Sequence, residues 1–297
     1  MTSRDPSEAE TSEISAPPAP EKSRPRMSPG MRFLFFLTAW LIVLMPLLFW
    51  RSTWFGRTLS DAEVGQYLAD NAQPRHIQHA LVQIGERMTR HDASAQRWYP
   101  DLVRLASHRV EEIRTTDAWV MGQDTTRPEF HEALRQMLAD PSPMVRGNAA
   151  LSLVRFGDDS GHAEIVELLK PMAVTAPRAG KIAALARAGD PANHGTMIAR
   201  IEATEAGGES AEVRAPITGR ARSRAVQEGA EVTTGAVLLT LDPGTDQVWE
   251  ALRALYFIGR PGDLPLVESY QRPLPDLPQR VQQQAAETAR AIRSRQD

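Results

Sequence analysis

An internal duplication restricts the fold more than any other feature of this chain. Residues 174–201 read VTAPRAGKIAALARAGDPANHGTMIARI, and about 39 residues later 213–241 read VRAPITGRARSRAVQEGAEVTTGAVLLTL. Aligning Ala176-Pro177 with Ala215-Pro216 superposes Gly180 on Gly219. One inserted residue then brings Gly189 onto Gly229, Gly195 onto Gly235 and Ile201 onto Leu241. Each copy consists of short β-branched or apolar stretches separated by Ala-Pro and by glycines that can turn the chain, which predicts strands rather than helix. Two such halves, each with one apolar face, are expected to pair about a pseudo-twofold axis into one β unit over 172–243.

Around that unit the pattern is helical and periodic. An apolar residue followed by glycine closes a helical run at Ile84-Gly85, Met121-Gly122, Phe156-Gly157 and Ile258-Gly259, with gaps of 37, 35 and 102 residues between the glycines. The first two gaps suit helix-pair repeats. The third exceeds one repeat by about the length of the duplication, so the β unit is expected to interrupt a single repeat. The clearest unit is 128–170. Phe130, Leu134 and Met137 form one helical stripe, Asp140-Pro141-Ser142-Pro143 breaks the chain, and Val145, Ala149, Leu153 and Phe156 line the next helix. With Asp140, Val145, Arg146, Ala149, Ala150, Leu153 and Gly157 in place, this unit resembles a HEAT repeat, in the short form that includes the phycobilisome-lyase-like variety. The resemblance implies an α-solenoid over 59–171 and 244–297 in which Asp140 and Arg146 bond along the stack. It carries no implication of lyase chemistry. Weaker units lie at 75–88, 110–123, 248–259 and 280–293. A solenoid exposes a long curved surface suited to protein partners.

The duplicated segment looks like the barrel-sandwich of biotinyl and lipoyl domains, and its second half looks equally like the lipoyl-like module of efflux-pump membrane-fusion adaptors. Val213, Ala215, Pro216, Gly219, Gly229, Val232, Gly235 and Leu238–Leu241 match the full half-motif, whereas in the first copy Pro191-Ala192 stands where the valine step belongs. In carrier domains of that family the swinging arm hangs from a lysine in the turn joining the halves. Here Ile201-Glu202-Ala203-Thr204-Glu205-Ala206 occupies that turn, Glu205 holds the modifiable position, and no lysine follows Lys181. A carboxylate cannot form the amide that attaches lipoate or biotin, so no cofactor is expected. The joining segment is also too short for the long helical hairpin of a membrane-fusion adaptor.

Residues 1–30 are rich in Pro, Ser, Thr, Glu and Arg and read as a disordered tail. Phe33–Trp50 is an uncharged, almost wholly apolar run of 18 residues, about 27 Å of helix, which predicts a transmembrane helix over 31–51. Trp50, Trp54 and Phe55 sit where interfacial aromatics belong. Lys22, Arg24, Arg26 and Arg32 before the run outnumber Arg51 and Arg57 after it, which predicts a single-pass inner-membrane protein with a cytoplasmic N-terminus and a periplasmic or extracytoplasmic remainder. A formal net charge of −3 gives no electrostatic reason to expect nucleic acid. The absence of cysteine removes disulfides, thiolate metal sites and thiol catalysis.

Side chains able to carry chemistry are few. His76 and His79 lie three apart on a helix without a third ligand, so no metal site is expected. Asp158, Asp159, Ser160 and His162 fall where helix pairs connect and a polar cap is needed. Asp117, Trp119 and Asp124 surround a helix-ending glycine, and Glu111 and Glu112 are adjacent and point apart. No nucleophile elbow, P-loop or dinucleotide fingerprint is present. The expectation is a mainly α solenoid with an inserted all-β barrel-sandwich domain and one transmembrane helix. Its expected role is that of a non-enzymatic scaffold or adaptor with protein partners and no identified small-molecule ligand. The alternative is an accessory or degenerate membrane-fusion-type adaptor of an efflux or secretion system.

Overall fold

The computed structural model describes residues 29–52, 57–203, 209–272 and 277–295, without the side chains of 32, 43 and 46–52. The chain divides into two units, Met1–Arg57 and Thr58–Asp297. In the first, helix α1 runs Pro29–Ser52 and exposes Phe33, Phe35, Phe36, Trp40 and Ile42. Among the described residues no helix is long and apolar enough to cross a membrane. The transmembrane helix expected at 31–51 is therefore not found as such. The helix is present, but the described side chains end at Met45, short of the predicted run. Residues 1–28 of the expected tail, with Lys22, Arg24 and Arg26, lie outside the described residues, as do Trp54 and Phe55.

The second unit is mixed, with helices on either side of two antiparallel sheets in the sequence. Its helices are α2 (Asp61–Ala69), α3 (Pro74–Thr89), α4 (Tyr99–Leu105), α5 (Glu111–Met121), α6 (Pro128–Met137), α7 (Pro143–Arg155), α8 (His162–Glu167), α9 (Thr245–Ile258), α10 (Leu264–Ser269) and α11 (Gln279–Ser294). Local sequence sets their starts. Ser60 and Glu63 form a reciprocal capping box before α2, and a proline opens α3, α6 and α7, where its missing N–H costs nothing. α3, α5, α7, α9 and α11 pack one upon the next in a row, while α2, α6, α8 and α10 each lie against the long helix that follows. The repeat is legible in its hydrogen bonds. Ser152 Oγ on α7 donates to Ala118 O on α5 at 2.8 Å, and Thr288 Oγ1 on α11 donates to Leu252 O on α9 at the same distance.

Three further contacts fix where the repeat is interrupted. Arg260 to Asp159, His162 to Asp263 and Tyr270 to Leu169 each join residues 101 apart in sequence. The strands account for most of that separation, so α8 and α9 pack as one helix pair although the sheets lie between them in sequence. Gly85 departs from the expectation. α3 continues through it to Thr89, and a Cβ there would lie 3.0 Å from the Trp119 ring. The glycine admits a neighbouring helix rather than ending its own. Gly122 and Gly259 do stand at helix ends.

The strands are β1 (Met172–Thr175), β2 (Gly180–Leu185), β3 (Pro191–Ala192), β4 (Met197–Glu202), β5 (Ala211–Arg214), β6 (Gly219–Arg224), β7 (Glu231–Val232) and β8 (Val237–Pro243). They form two four-stranded sheets, ordered β1-β8-β6-β3 and β5-β4-β2-β7. Replacing each strand by its counterpart in the other half turns one sheet into the other, and each sheet takes strands from both halves. The turns follow the same symmetry. Gly189 N donates to Ala221 O and Gly229 N to Ile182 O; Gly195 N donates to Ala215 O and Gly235 N to Ala176 O. All four glycines have positive φ, between 77° and 93°, which side chains disfavour. Ala192 and Val232 occupy matching buried positions, so the first half keeps its inward step with a smaller side chain. The core joins Val174, Ile182, Ile198 and Ile201 of one half to Val213, Ala221, Leu238 and Leu241 of the other. Met144 of α7 packs against this β core.

Gly180 and Gly219 have a different reason to be glycine. A Cβ at Gly180 would lie 2.3 Å from Glu202 O, and one at Gly219 would lie 1.9 Å from Asp242 O, both backbone atoms that cannot step aside. Nothing lies within 4 Å of a Cβ at Gly229 or Gly235. Gly219→Ala is therefore expected to destabilise the protein by about 3 kcal/mol or more. Gly229→Ala, which carries only the cost of a left-handed alanine, should lose about 1–2 kcal/mol. Chemical denaturation of the two variants checks the ranking, and equal losses would contradict it.

Candidate functional site

The helical stack and the sheets meet in a cleft of about 430 Å³, walled by the start of α5, by Pro141–Pro143 ahead of α7, and by the loops around His194 and Pro216. Its polar groups form a continuous chain. Ser142 is the N-cap of α7, and its Oγ accepts from the backbone N–H of Met144 (3.1 Å) and Val145 (3.3 Å). The same hydroxyl donates to Glu111 Oε1 at 2.6 Å. That oxygen also receives His194 Nε2 at 3.0 Å. His194 N donates to Thr218 Oγ1 (3.0 Å), and Thr218 O accepts from Gly244 N (2.9 Å) at the start of α9. The chain thus runs from the N-terminus of α7 through α5 and the sheets to the N-terminus of α9. Ser142 has both lone pairs engaged by N–H groups and gives its proton to Glu111 rather than to His194. That arrangement holds elements together and does not present a nucleophile to a base.

Beside the cleft, Arg114 of α5 grips Asp140 with two prongs, Nε to Oδ2 at 2.6 Å and Nη2 to Oδ1 at 2.9 Å, and its Nη1 donates to His108 O. Both side chains are nearly buried, 12% and 8% exposed. Burial pushes the Asp140 carboxyl up, but the Arg114 fork and the Ser142 N–H together outweigh it and hold the group below the usual carboxylate range. Arg146 does not reach the Asp140 carboxylate. It donates to the backbone oxygens of Asp140 and Pro141 and pairs through Nε with Glu164 at 2.9 Å. Asp140 and Arg146 therefore meet through the main chain, and the partner that sequence reasoning missed is Arg114. Arg114 and Arg146 are equivalent in successive repeats: each donates an Nη1 to the backbone oxygen six residues before it.

The other chemistry-bearing residues have structural partners. Asp124 accepts from Thr126 N and from the Tyr99 hydroxyl (2.7 Å); Asp158 accepts from Ser160 N and from His131 Nε2 (2.7 Å). These are the same turn in successive repeats, each acid taking a backbone N–H two residues on and a ring from an earlier helix. Burial and then the Asp124 bond raise the Tyr99 hydroxyl to about 12. His162 is spent on Asp263. His76 stacks on Tyr67 at 4.2 Å and bonds Asp70, with His79 tilted against the same ring. Among the described residues no group of three His, Cys, Asp or Glu is placed to hold a metal. Glu205 lies outside the described residues, within the segment joining β4 to β5. Lys181 is on β2, exposed and paired in register with Glu231 and with Glu202, the last residue of β4.

No family model matches the chain, and no curated protein matches it. Among solved structures it is similar to a designed armadillo repeat protein, at 13% identity and a TM-score of 0.37, over 77% of this chain and 80% of that one.

Asp140→Ala would leave Arg114 buried without its counter-charge and is expected to cost about 3–5 kcal/mol, measured by denaturant unfolding at neutral pH. Because the Asp140 carboxyl is depressed in the folded state, its contribution is complete above the ordinary aspartate pKa of about 4 and fades as pH falls through the folded value. Asp140→Asn should flatten that acid limb. An unchanged limb would show that the pair contributes nothing.

Proposed function

We propose that the chain is a membrane-anchored, non-enzymatic scaffold or adaptor that binds protein partners through a HEAT-like solenoid carrying an unmodified, lipoyl-like barrel-sandwich module. The observation that carries the reading is the exchange symmetry of the two sheets. Halves that interleave in this way are what the resemblance to lipoyl and biotinyl domains implies, and the chain has no lysine beyond Lys181 on which to hang a prosthetic group. The polar chain through Ser142, Glu111 and His194 supports a module held at a fixed angle to the stack rather than one that swings. The anchor is α1, whose run Phe33–Trp50 is uncharged and which exposes large apolar side chains from Phe33 to Met45. The charge bias around it favours a cytoplasmic N-terminus, with the helices and sheets outside the cytoplasm.

Three measurements test this. Mass spectrometry of the purified chain should show no lipoyl or biotinyl adduct between 172 and 243. A C-terminal alkaline phosphatase fusion should be active, and an inactive fusion alongside a bright fluorescent-protein fusion would reverse the topology. Crosslinking in the native membrane followed by partner identification should recover protein partners. Recovery of an inner-membrane transporter, lost on deleting 172–243 but not on removing the tail, would favour the adaptor of an efflux or secretion system over a general scaffold.

A further inference from the structure

One acid in the stack takes no part in any of these contacts. Asp117 lies in the middle of α5, fully buried, and neither of its carboxyl oxygens has a hydrogen-bond partner. The four helices packed on α5 are α3, α4, α6 and α7. Of these, α4 supplies the charge that acts on the carboxyl, Arg104, while no charged group of α3, α6 or α7 does so. The core around α5 is built from Ile84, Leu102, Phe130 and Leu153 and their neighbours. A carboxylate in such surroundings has lost its water without gaining a counter-charge or a donor, whereas a neutral acid loses much less. Burial accordingly raises this carboxyl well above the ordinary aspartate range, with Arg104 pulling the other way.

The same helix carries the junction. Glu111, in its first turn, receives Ser142 and His194, and Arg114, one turn before Asp117, grips Asp140. Anything that unseats α5 therefore breaks the contact between the stack and the sheets. We propose that α5 is a proton-held latch: it stays seated while Asp117 is protonated, and loss of that proton as pH rises releases α5 and, with it, the Glu111–His194 contact that fixes the β unit.

The sign follows from linkage. A seated α5 keeps a proton that an opened α5 surrenders, so the opening equilibrium grows with pH from about 4 up to the raised folded value, by at most about tenfold per pH unit. Other ionisable groups, Glu111, Glu112, His108, Asp140 and His194, lie on or against the same end of α5. For that reason the test compares variants at residue 117 instead of relying on pH alone.

Hydrogen exchange of the full chain, corrected for the intrinsic dependence on pH, would be followed from pH 5.5 to 8.5 in segments 111–121 and 190–197, with 279–294 as the internal control. In the wild type, opening of the first two segments should increase together with pH while the control stays level. Asp117→Asn, which carries no titratable proton, should remove the increase, and Asp117→Leu serves the same comparison if the asparagine variant does not fold. A flat wild type, or an increase that persists in either variant, overturns the proposal. Infrared detection of a protonated carboxyl at neutral pH in the wild type, lost in the variant, supports it without reference to exchange. Absence of that band overturns it.

Discussion

One helix forms a wall of three cores, and the rest of the second unit is arranged around that fact. α7 places Val145, Ala149 and Leu153 in the core shared with α3 and α5, Ala150 with Leu151 and Val154 in the core shared with α8, α9 and α11, and Met144 in the core between the sheets. Apolar side chains on opposite faces of one helix require neighbours that approach closely on both sides, and small residues make this possible. A Cβ at Gly147 would lie 2.8 Å from Leu168 Cδ2, and one at Gly161 would lie 2.6 Å from the Cβ of Ala150. The best-formed repeat signature falls on this helix, which faces all three cores.

Regular backbone chemistry was the legible part. The glycines at Gly189, Gly195, Gly229 and Gly235 advertised their turns because only their φ values need glycine, and the helical stripes announced α3, α6, α7, α9 and α11 through apolar spacing. Short elements were harder. α4, α8 and α10 have six or seven residues each, too few turns for a periodic pattern to stand out. Gly85 was misread because a glycine that ends a helix and a glycine that admits a tryptophan ring are the same letter. The junction was the least legible part of all. Glu111 and His194 are 83 residues apart, and no local pattern says that a loop of the sheets will meet the first turn of α5. Asp140 was singled out from a repeat signature, yet its true partner lay in the preceding repeat, where the sequence no longer keeps that signature.

Acids that stood out in the sequence as candidates for chemistry turn out to share a task. Asp124 and Asp158 each close a turn after a long helix and take a ring donor from an earlier one, so the polar side chains repeat with the same period as the apolar ones. Long-range polar contacts then lock the register: His162 with Asp263 and Arg260 with Asp159 hold the two sides of the interrupted repeat together. Asp117 stands apart from this economy, since it is the fully buried acid without any partner among the described residues.

The two ends of the β segment lie side by side, because β1 pairs with β8 and Met172 faces Leu241. Along the chain the whole segment is a bead strung at one point, and Met144 and Glu111 hold it against the helices. Leu168 O receives Gln247, and Leu169 O receives Tyr270, across the gap that the bead hangs from. The interrupted pair, α8 and α9, stays packed together across the insertion.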